Sequence, residues 1–241
     1  MELCEMIYKR KSVRSYTDER VDEATLQKIR DFSSALKPLY PDIKVCSEIV
    51  GRESIRCILP WTTPQLIAIF SEDKEGYLEN VGFMFQQLEL YMQSIGIGVC
   101  WLGMGRPGKD MVKSKGGMKF VMLLAFGYPK GDALRSSVTE FKRHSLSDIS
   151  DKADARLEPA RLAPSSVNSQ PWYFLHEGEV IHVYCAMRGL LKVKMLTDMN
   201  RIDVGIALAH MYVANPATFI FYKADEVKTV NGYGYIGSFK I

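Results

Sequence analysis

Residues 78–95 impose the strongest constraint on the fold. Read at helical spacing, Val81, Phe83, Met84, Phe85, Leu88, Tyr91, Met92 and Ile95 surround the segment almost completely. A long helix with no polar stripe has no side to give to water and belongs in the interior. A second buried helix is expected at residues 203–211, and the two share a local pattern. Asn80-Val81-Gly82-Phe83-Met84-Phe85 compares with Asp203-Val204-Gly205-Ile206-Ala207-Leu208: an amide or acidic cap, Val-Gly, then apolar residues, at an offset of 123 positions. This similarity points to an internal repeat.

Around these helices the pattern predicts shorter elements. Leu3, Met6 and Ile7 sit at helical spacing, and Asp22 is a natural N-cap for a helix over 23–32 with Leu26 and Ile29 inward. Runs rich in β-formers occur at 43–50, 55–59 and 66–70, separated by turn residues such as Gly51 and Pro60. Further strands are expected at 119–126, 172–175, 179–187 and 218–223, and a helical run at 155–162. The Gly/Tyr-rich stretch from Asn231 matches no template.

Three segments carry candidate chemistry. Lys9, Arg10, Lys11 and Arg14 put four basic side chains within six positions, interleaved with Ser12 and Ser15. Such a cluster suits a phosphate, although at a helix C-terminus it also complements the helix dipole. Residues 163–172, Ala-Pro-Ser-Ser-Val-Asn-Ser-Gln-Pro-Trp, read as a rigid loop: Pro164 and Pro171 fix φ at both ends, and the Ser and Asn side chains offer local hydrogen bonds. It could clasp a flat polar ligand edge, or simply join a helix to a strand. Lys142-Arg143, on charge alone, would face solvent.

The Pro-Ser-Ser-x-Asn-x-Gln-Pro-Trp loop and Arg10-Lys11-Ser12-Val13-Arg14 resemble two motifs of the FMN-dependent nitroreductase family. The core helix with its continuation Gly96-Ile97-Gly98-Val99-Cys100-Trp101-Leu102-Gly103, and a strand ending in Gly127-Tyr128-Pro129 followed by Lys142-Arg143, resemble two more. The resemblance implies that Arg10 and Ser12 hold the FMN phosphate with Lys11 alongside, and that Arg14 reaches the pyrimidine edge. It implies further that Leu102 and Gly103 lie near the ring, that Lys142 and Arg143 return to the phosphate, and that Pro164, Ser165, Ser166, Asn168 and Gln170 complete the pocket. One departure stands out. The family places the loop soon after the basic motif, whereas here about 150 residues separate them and Ser33-Ser34-Ala35-Leu36-Lys37-Pro38 occupies the expected place.

Each half of the chain thus lacks what the other has. Family members are homodimers with FMN at the subunit interface, so the pattern resembles a divergent, two-lobed branch in which one chain is a pseudo-dimer. The lobes would be 1–149 and 150–241, and the fold α+β: two related lobes with mixed sheets and central buried helices. The chain would be a monomer with one internal FMN site, or a homodimer. NADH or NADPH would donate hydride and a nitroaromatic, quinone or similar small molecule would accept it by ping-pong transfer, with no acid or base side chain required. A non-catalytic flavin-binding or sensor protein is the competing class.

Composition is consistent with this. A net charge of +3 spread along the chain gives no footing for nucleic acid, and no run approaches the ~20 apolar residues of a membrane span. The five cysteines, Cys4, Cys46, Cys57, Cys100 and Cys185, are odd in number and widely spaced, arguing against a disulfide framework or a zinc site. The four histidines show no metal-ligand spacing. A reducing cytoplasm is the expected location.

Overall fold

The computed structural model describes residues 2–56, 61–108, 114–187 and 194–241. Its helices are α1 (Leu3–Ile7), α2 (Glu23–Ser34), α3 (Tyr77–Ser94), α4 (Leu146–Ile149), α5 (Glu158–Arg161) and α6 (Lys194–Ala214). Its strands are β1 (Val45–Gly51), β2 (Ile55–Arg56), β3 (Gln65–Ser71), β4 (Gly98–Leu102), β5 (Arg106–Pro107), β6 (Ser114–Lys115), β7 (Met118–Gly127), β8 (Trp172–Glu177), β9 (Val180–Ala186), β10 (Ile220–Tyr222) and β11 (Tyr233–Lys240). The end of the strand expected at 55–59, with Cys57 and Pro60, lies outside the described residues.

One sheet has the order β1-β3-β7-β4, with β6 hairpinned onto β7, and a second has the order β10-β11-β9-β8. Pairing between these strands is antiparallel. A parallel component enters as an isolated bridge from Ser150 to Phe174. β3 is buried along its whole length. Its alternate side chains go to opposite faces: Ile67 and Ile69 join the main core beneath the helices, while Leu66, Ala68 and Phe70 join a smaller cluster with Leu102 and Leu123.

The α2 cap is as expected, with Asp22 Oδ1 accepting from Thr25 N at 2.9 Å. The Tyr128 hydroxyl also donates to Asp22, and these bonds hold its carboxyl down at about 2. α3 is buried on all sides and crosses α6 at closest range where both helices have glycine. A Cβ on Gly82 would lie 2.1 Å from the Ile202 carbonyl oxygen, and one on Gly205 would lie 2.1 Å from that of Glu79. Each contact maps onto the other under the 123-residue offset, so the crossing has the reciprocity of an isologous interface within one chain.

Two elements differ from the sequence pattern. α6 begins nine residues before the expected 203, because its polar first turns are held by tertiary contacts: Arg201 pairs with buried Glu79 at 2.6 Å, and Asn200 donates to the Ala186 carbonyl. The Gly/Tyr-rich stretch is β11, which lies between β9 and β10 and has a bulge between Tyr235 and Gly237. Gly237 is required there, since a Cβ would meet the Phe221 ring at 2.3 Å. No helix among the described residues is long and apolar enough to cross a membrane.

Candidate functional site

The N-terminal basic segment leaves α1 and is pinned on both sides. Val13 N donates to the Val99 carbonyl on β4, and Arg135 N donates to the Lys9 carbonyl. Gly98 makes room for Val13, whose side chain would stand 2.8 Å from a Cβ there. Across from this segment, Ala163 and Pro164 are buried and begin the loop that runs into β8.

That loop is strained. Val167, Asn168 and Gln170 all have positive φ, at 46°, 58° and 46°. For a β-branched residue such as Val167 this conformation is a genuine outlier, and such strain persists only where the surroundings over-determine it. The surroundings here do so. Ser165 Oγ accepts from Gln170 N at 2.9 Å, Asp203 Oδ2 from Ser166 N at 3.0 Å, and Gln170 Oε1 from His144 N at 2.8 Å. Asn168 is gripped at both ends, accepting from Arg143 at 2.6 Å and donating to the Lys142 carbonyl at 2.8 Å. Val167, meanwhile, stands 88% exposed at the tip.

Between the loop and the basic segment lie two adjoining cavities that share Ser12, Arg14, Pro164, Ser165 and Val167. The outer one, about 480 Å3, is lined by Arg10, Lys11, Arg14, Arg135, Lys142 and Arg143, with Glu140 as its single acid. Glu140, held by bonds from Ser136 and Ser137 in its own turn, is one negative charge against the cluster and acts on Arg135. Mutual repulsion and burial leave their mark. The Arg143 guanidinium is brought down to about 10, first by burial and then by the charges of Arg10, Arg135 and Arg161. Arg135 is lowered for the same reasons while it lies 4.1 Å over the Phe141 ring and donates to the Arg10 carbonyl. Arg143 Nε is buried without a hydrogen-bond partner.

The inner cavity, about 140 Å3, is lined by Cys100, Trp101, Gly103, Met122, Ser166, Met199, Ile202, Asp203 and Ile206 besides the shared residues. It is apolar on one wall and polar on the loop side. Asp203 stands out there: burial pushes its carboxyl up to about 8, against a small lowering from the Ser166 bond. Beneath the site runs a buried polar chain. Arg10 pairs with Glu89 at 3.0 Å, Glu89 accepts from Gln86 at 2.7 Å, and Gln86 in turn accepts from Trp101 Nε1 at 3.0 Å. Gln86 Nε2 also meets His210 Nε2 at 3.1 Å.

The structure therefore gathers Arg10, Lys11, Ser12, Arg14, Gly103, Lys142, Arg143, Pro164, Ser165, Ser166 and Asn168 around the two cavities. Leu102 and Gln170 do not line them. Strand alternation turns Leu102 to the far face of the sheet, with Ile55, Leu66 and Leu123. Gln170 is buried with its side chain spent on His144 N and the Asn168 carbonyl. Arg10 lines the outer cavity but gives Nε to Glu89 and Nη2 to Ser12, so its first duty is internal. Arg135 and Asp203 are site residues that the sequence motifs do not include. A lone Arg in a loop gives no sequence signal, whereas an acid in the Val-Gly motif of an otherwise apolar helix does. A separate cavity of about 500 Å3 between α2, β1 and α3 has mixed apolar and hydroxyl walls and no comparable charge cluster.

Known proteins share this sequence pattern and this fold. The sequence profile of the family described as "Putative TM nitroreductase" matches residues 2–215. Among solved structures, a "putative nitroreductase" from Thermotoga maritima MSB8 superposes with a TM-score of 0.66 at 19% identity, covering 99% of this chain and 92% of that one. A nitroreductase family protein from Clostridium difficile 630 gives 0.49 at 16%, covering 62% and 96%. One from Clostridium novyi NT gives 0.46 at 21%, covering 54% and 87%. No curated protein sequence matches significantly.

Proposed function

The chain belongs to the nitroreductase family whose profile spans residues 2–215, and on that footing we propose that it is an FMN-dependent NAD(P)H oxidoreductase that reduces a small nitroaromatic, quinone or related acceptor. The single observation that carries the FMN assignment is the outer cavity, where Lys11, Arg14, Arg135, Lys142 and Arg143, besides the Glu89-paired Arg10, face the one carboxylate of Glu140. A phosphate oxygen there would accept charge-assisted hydrogen bonds from these side chains, each worth about 1.5–3 kcal/mol. The residues fit the group.

In this reading Lys11, Ser12, Arg135, Lys142 and Arg143 hold the phosphate, and Arg10, fixed by Glu89, adds its charge behind them. Arg14 lines both cavities and so stands where a ligand spanning them would turn from phosphate to ring. Gly103, Pro164, Ser165 and Ser166 border the ring side, while Asn168 and Gln170 act indirectly by holding the strained loop closed on Arg143 and His144. FMN, when bound, supplies two-electron hydride chemistry, taking hydride from NADH or NADPH and passing it to the acceptor. The protein supplies orientation and a positive field; no side chain is assigned as acid or base in that transfer.

The reading includes one site per chain, assembled from lobes 1–149 and 150–241 of a pseudo-dimer. The reciprocal glycine crossing supports it. So does the counterpart position. Asn80, the repeat partner of Asp203, holds the loop at Leu39 and Tyr40, and there Tyr40 packs edge-on against Phe221 at 5.5 Å. The test is a visible-range titration of the purified chain with FMN, followed by anaerobic addition of NADH or NADPH. Saturation near one FMN per chain, with bleaching by the dinucleotide and recovery on adding a nitroaromatic or quinone, is expected. Stoichiometric binding without bleaching would leave only a flavin binder.

A further inference from the structure

Asp203 sits at a position for which the chain itself provides a control. In the repeat, Asn80 is its counterpart, and Asn80 Oδ1 accepts from Leu39 N at 2.8 Å and Tyr40 N at 3.0 Å. Holding a loop by its backbone N–H groups thus needs one side-chain oxygen and no ionisable group. Asp203 does the same work with Oδ2 alone, accepting from Ser166 N. The surroundings of the second atom differ. Asn80 Nδ2 is buried against protein without a partner, whereas Asp203 borders the inner cavity, and its Oδ1 has no hydrogen-bond partner among the described residues.

We propose that Asp203 is a ligand-contacting residue of the inner cavity: Oδ1 carries a proton and donates a hydrogen bond to an acceptor atom on the edge of a planar heteroaromatic ring held there. The proposal rests on the flavin reading for the identity of that ring. Among the described residues no Lys, Arg or His forms an ion pair with Asp203, and a carboxyl out of water without a cation favours its neutral form. Its pKa of about 8 agrees with that placement. The ionisable groups around it are few. Cys185 on β9 is pushed up to about 12, chiefly by burial and then by the charges of Glu79 and Asp203. Glu79 is paired with Arg201 across the helix crossing, and Arg14 and Cys100 line the same cavity. The sign follows directly. The donor is present below the folded pKa and is lost as pH rises through it, when a carboxylate instead faces the acceptor atom.

Riboflavin is the probe, because it lacks the phosphate and therefore that group's own titration. Its binding to the wild-type chain and to Asp203→Asn would be followed by fluorescence from about pH 6.5 to about pH 9. Wild-type binding should weaken by about fivefold or more across that range, the size of one ordinary hydrogen bond, while the Asn variant, a donor at every pH, stays within about twofold. The variant should keep its fold and loop, since Asn80 already performs that task. A second readout needs no ligand: the infrared carbonyl stretch of a protonated carboxyl at neutral pH should be present in the wild type and missing in Asp203→Asn. Riboflavin binding with matching pH profiles in the two proteins, or no such infrared band, would overturn the assignment of Asp203 while leaving the flavin reading intact. Absence of riboflavin and FMN binding to the wild type would overturn both.

Discussion

Arg10 and Glu89 form an ion pair in which both side chains are withdrawn from water, at 1% and 0% exposure. Burial pushes the Glu89 carboxyl up, and Arg10 is the charge that most opposes the shift. Removing one member of such a pair strands the other. Arg10→Ala should therefore destabilise the ligand-free protein by about 3–5 kcal/mol in urea unfolding, and Arg10→Met with Glu89→Leu should recover much of that loss. A single-variant loss below about 1 kcal/mol would show that Arg10 serves the ligand alone.

Arg143 and Arg135 should behave in the opposite way, since each borders the outer cavity without a buried acidic partner. Replacing either by Ala should weaken FMN binding by roughly 1.5–3 kcal/mol for each charge-assisted hydrogen bond removed, with riboflavin binding little changed. Equal effects on FMN and riboflavin would move the phosphate elsewhere.

Arg14 lines both cavities, and its charge matters most to the form of the ligand carrying more negative charge. An Arg14→Met chain should hold oxidised FMN comparatively well while its potential becomes more negative. An interaction worth roughly 1.5 kcal/mol in the reduced form alone shifts a two-electron couple by about 30 mV. Spectroelectrochemistry reads this directly, and an unshifted midpoint would remove Arg14 from the ring.

Gly82→Ala and Gly205→Ala test the helix crossing. Each adds a methyl that would stand 2.1 Å from a carbonyl oxygen of the other helix, where backbone must give way. Overpacking of this kind costs roughly 1–3 kcal/mol. The two losses should be similar, and the double variant should lose less than their sum, because one helix displacement relieves both clashes. Strict additivity would contradict a shared crossing.

His210 sets an acid limit. Fully buried, with Nδ1 on the Pro159 carbonyl and Nε2 receiving Gln86, it is brought down to about 3, chiefly by burial. In the unfolded chain it titrates near its ordinary ~6.5, so the unfolded state binds the extra proton first. Its effect on stability is absent at neutral pH and grows as pH falls from about 6.5 towards the folded value, at up to about 1.4 kcal/mol per pH unit. His210→Gln should flatten that part of the stability curve, as followed by unfolding at a series of pH values.

Most of the described helices and strands of this chain are legible in its sequence, because patterning and capping there agree with the tertiary outcome; the short α4 is not. Asp22 caps α2, and the all-round apolar 78–95 segment is the central helix. Where sequence and structure part, long-range packing has overridden local preference. β11 is built on glycines that disfavour strands, one of which is needed because the Phe221 ring lies over it. α6 begins early because Glu79, far away in sequence, and Ala186 at the end of β9 hold its first turns. In the site, spacing locates the loop and the basic cluster. It does not reveal that Gln170 is consumed by a backbone N–H, that Leu102 falls on the wrong side of a strand, or that Arg135 swings in beside Phe141.

The position of β11 also bears on the order in which the molecule can be completed. Residues 233–240 are synthesised after every other described element, yet they supply the strand that joins β9 to β10. The sheet formed by β1, β3, β7 and β4 can close while the ribosome is still at work, whereas the β8–β9 hairpin must wait with one edge unpaired until residue 240 has emerged. The loop at 164–170 leads directly into β8. Its half of the cavity therefore matures last, so a growing chain would display the basic cluster well before it could enclose a ligand.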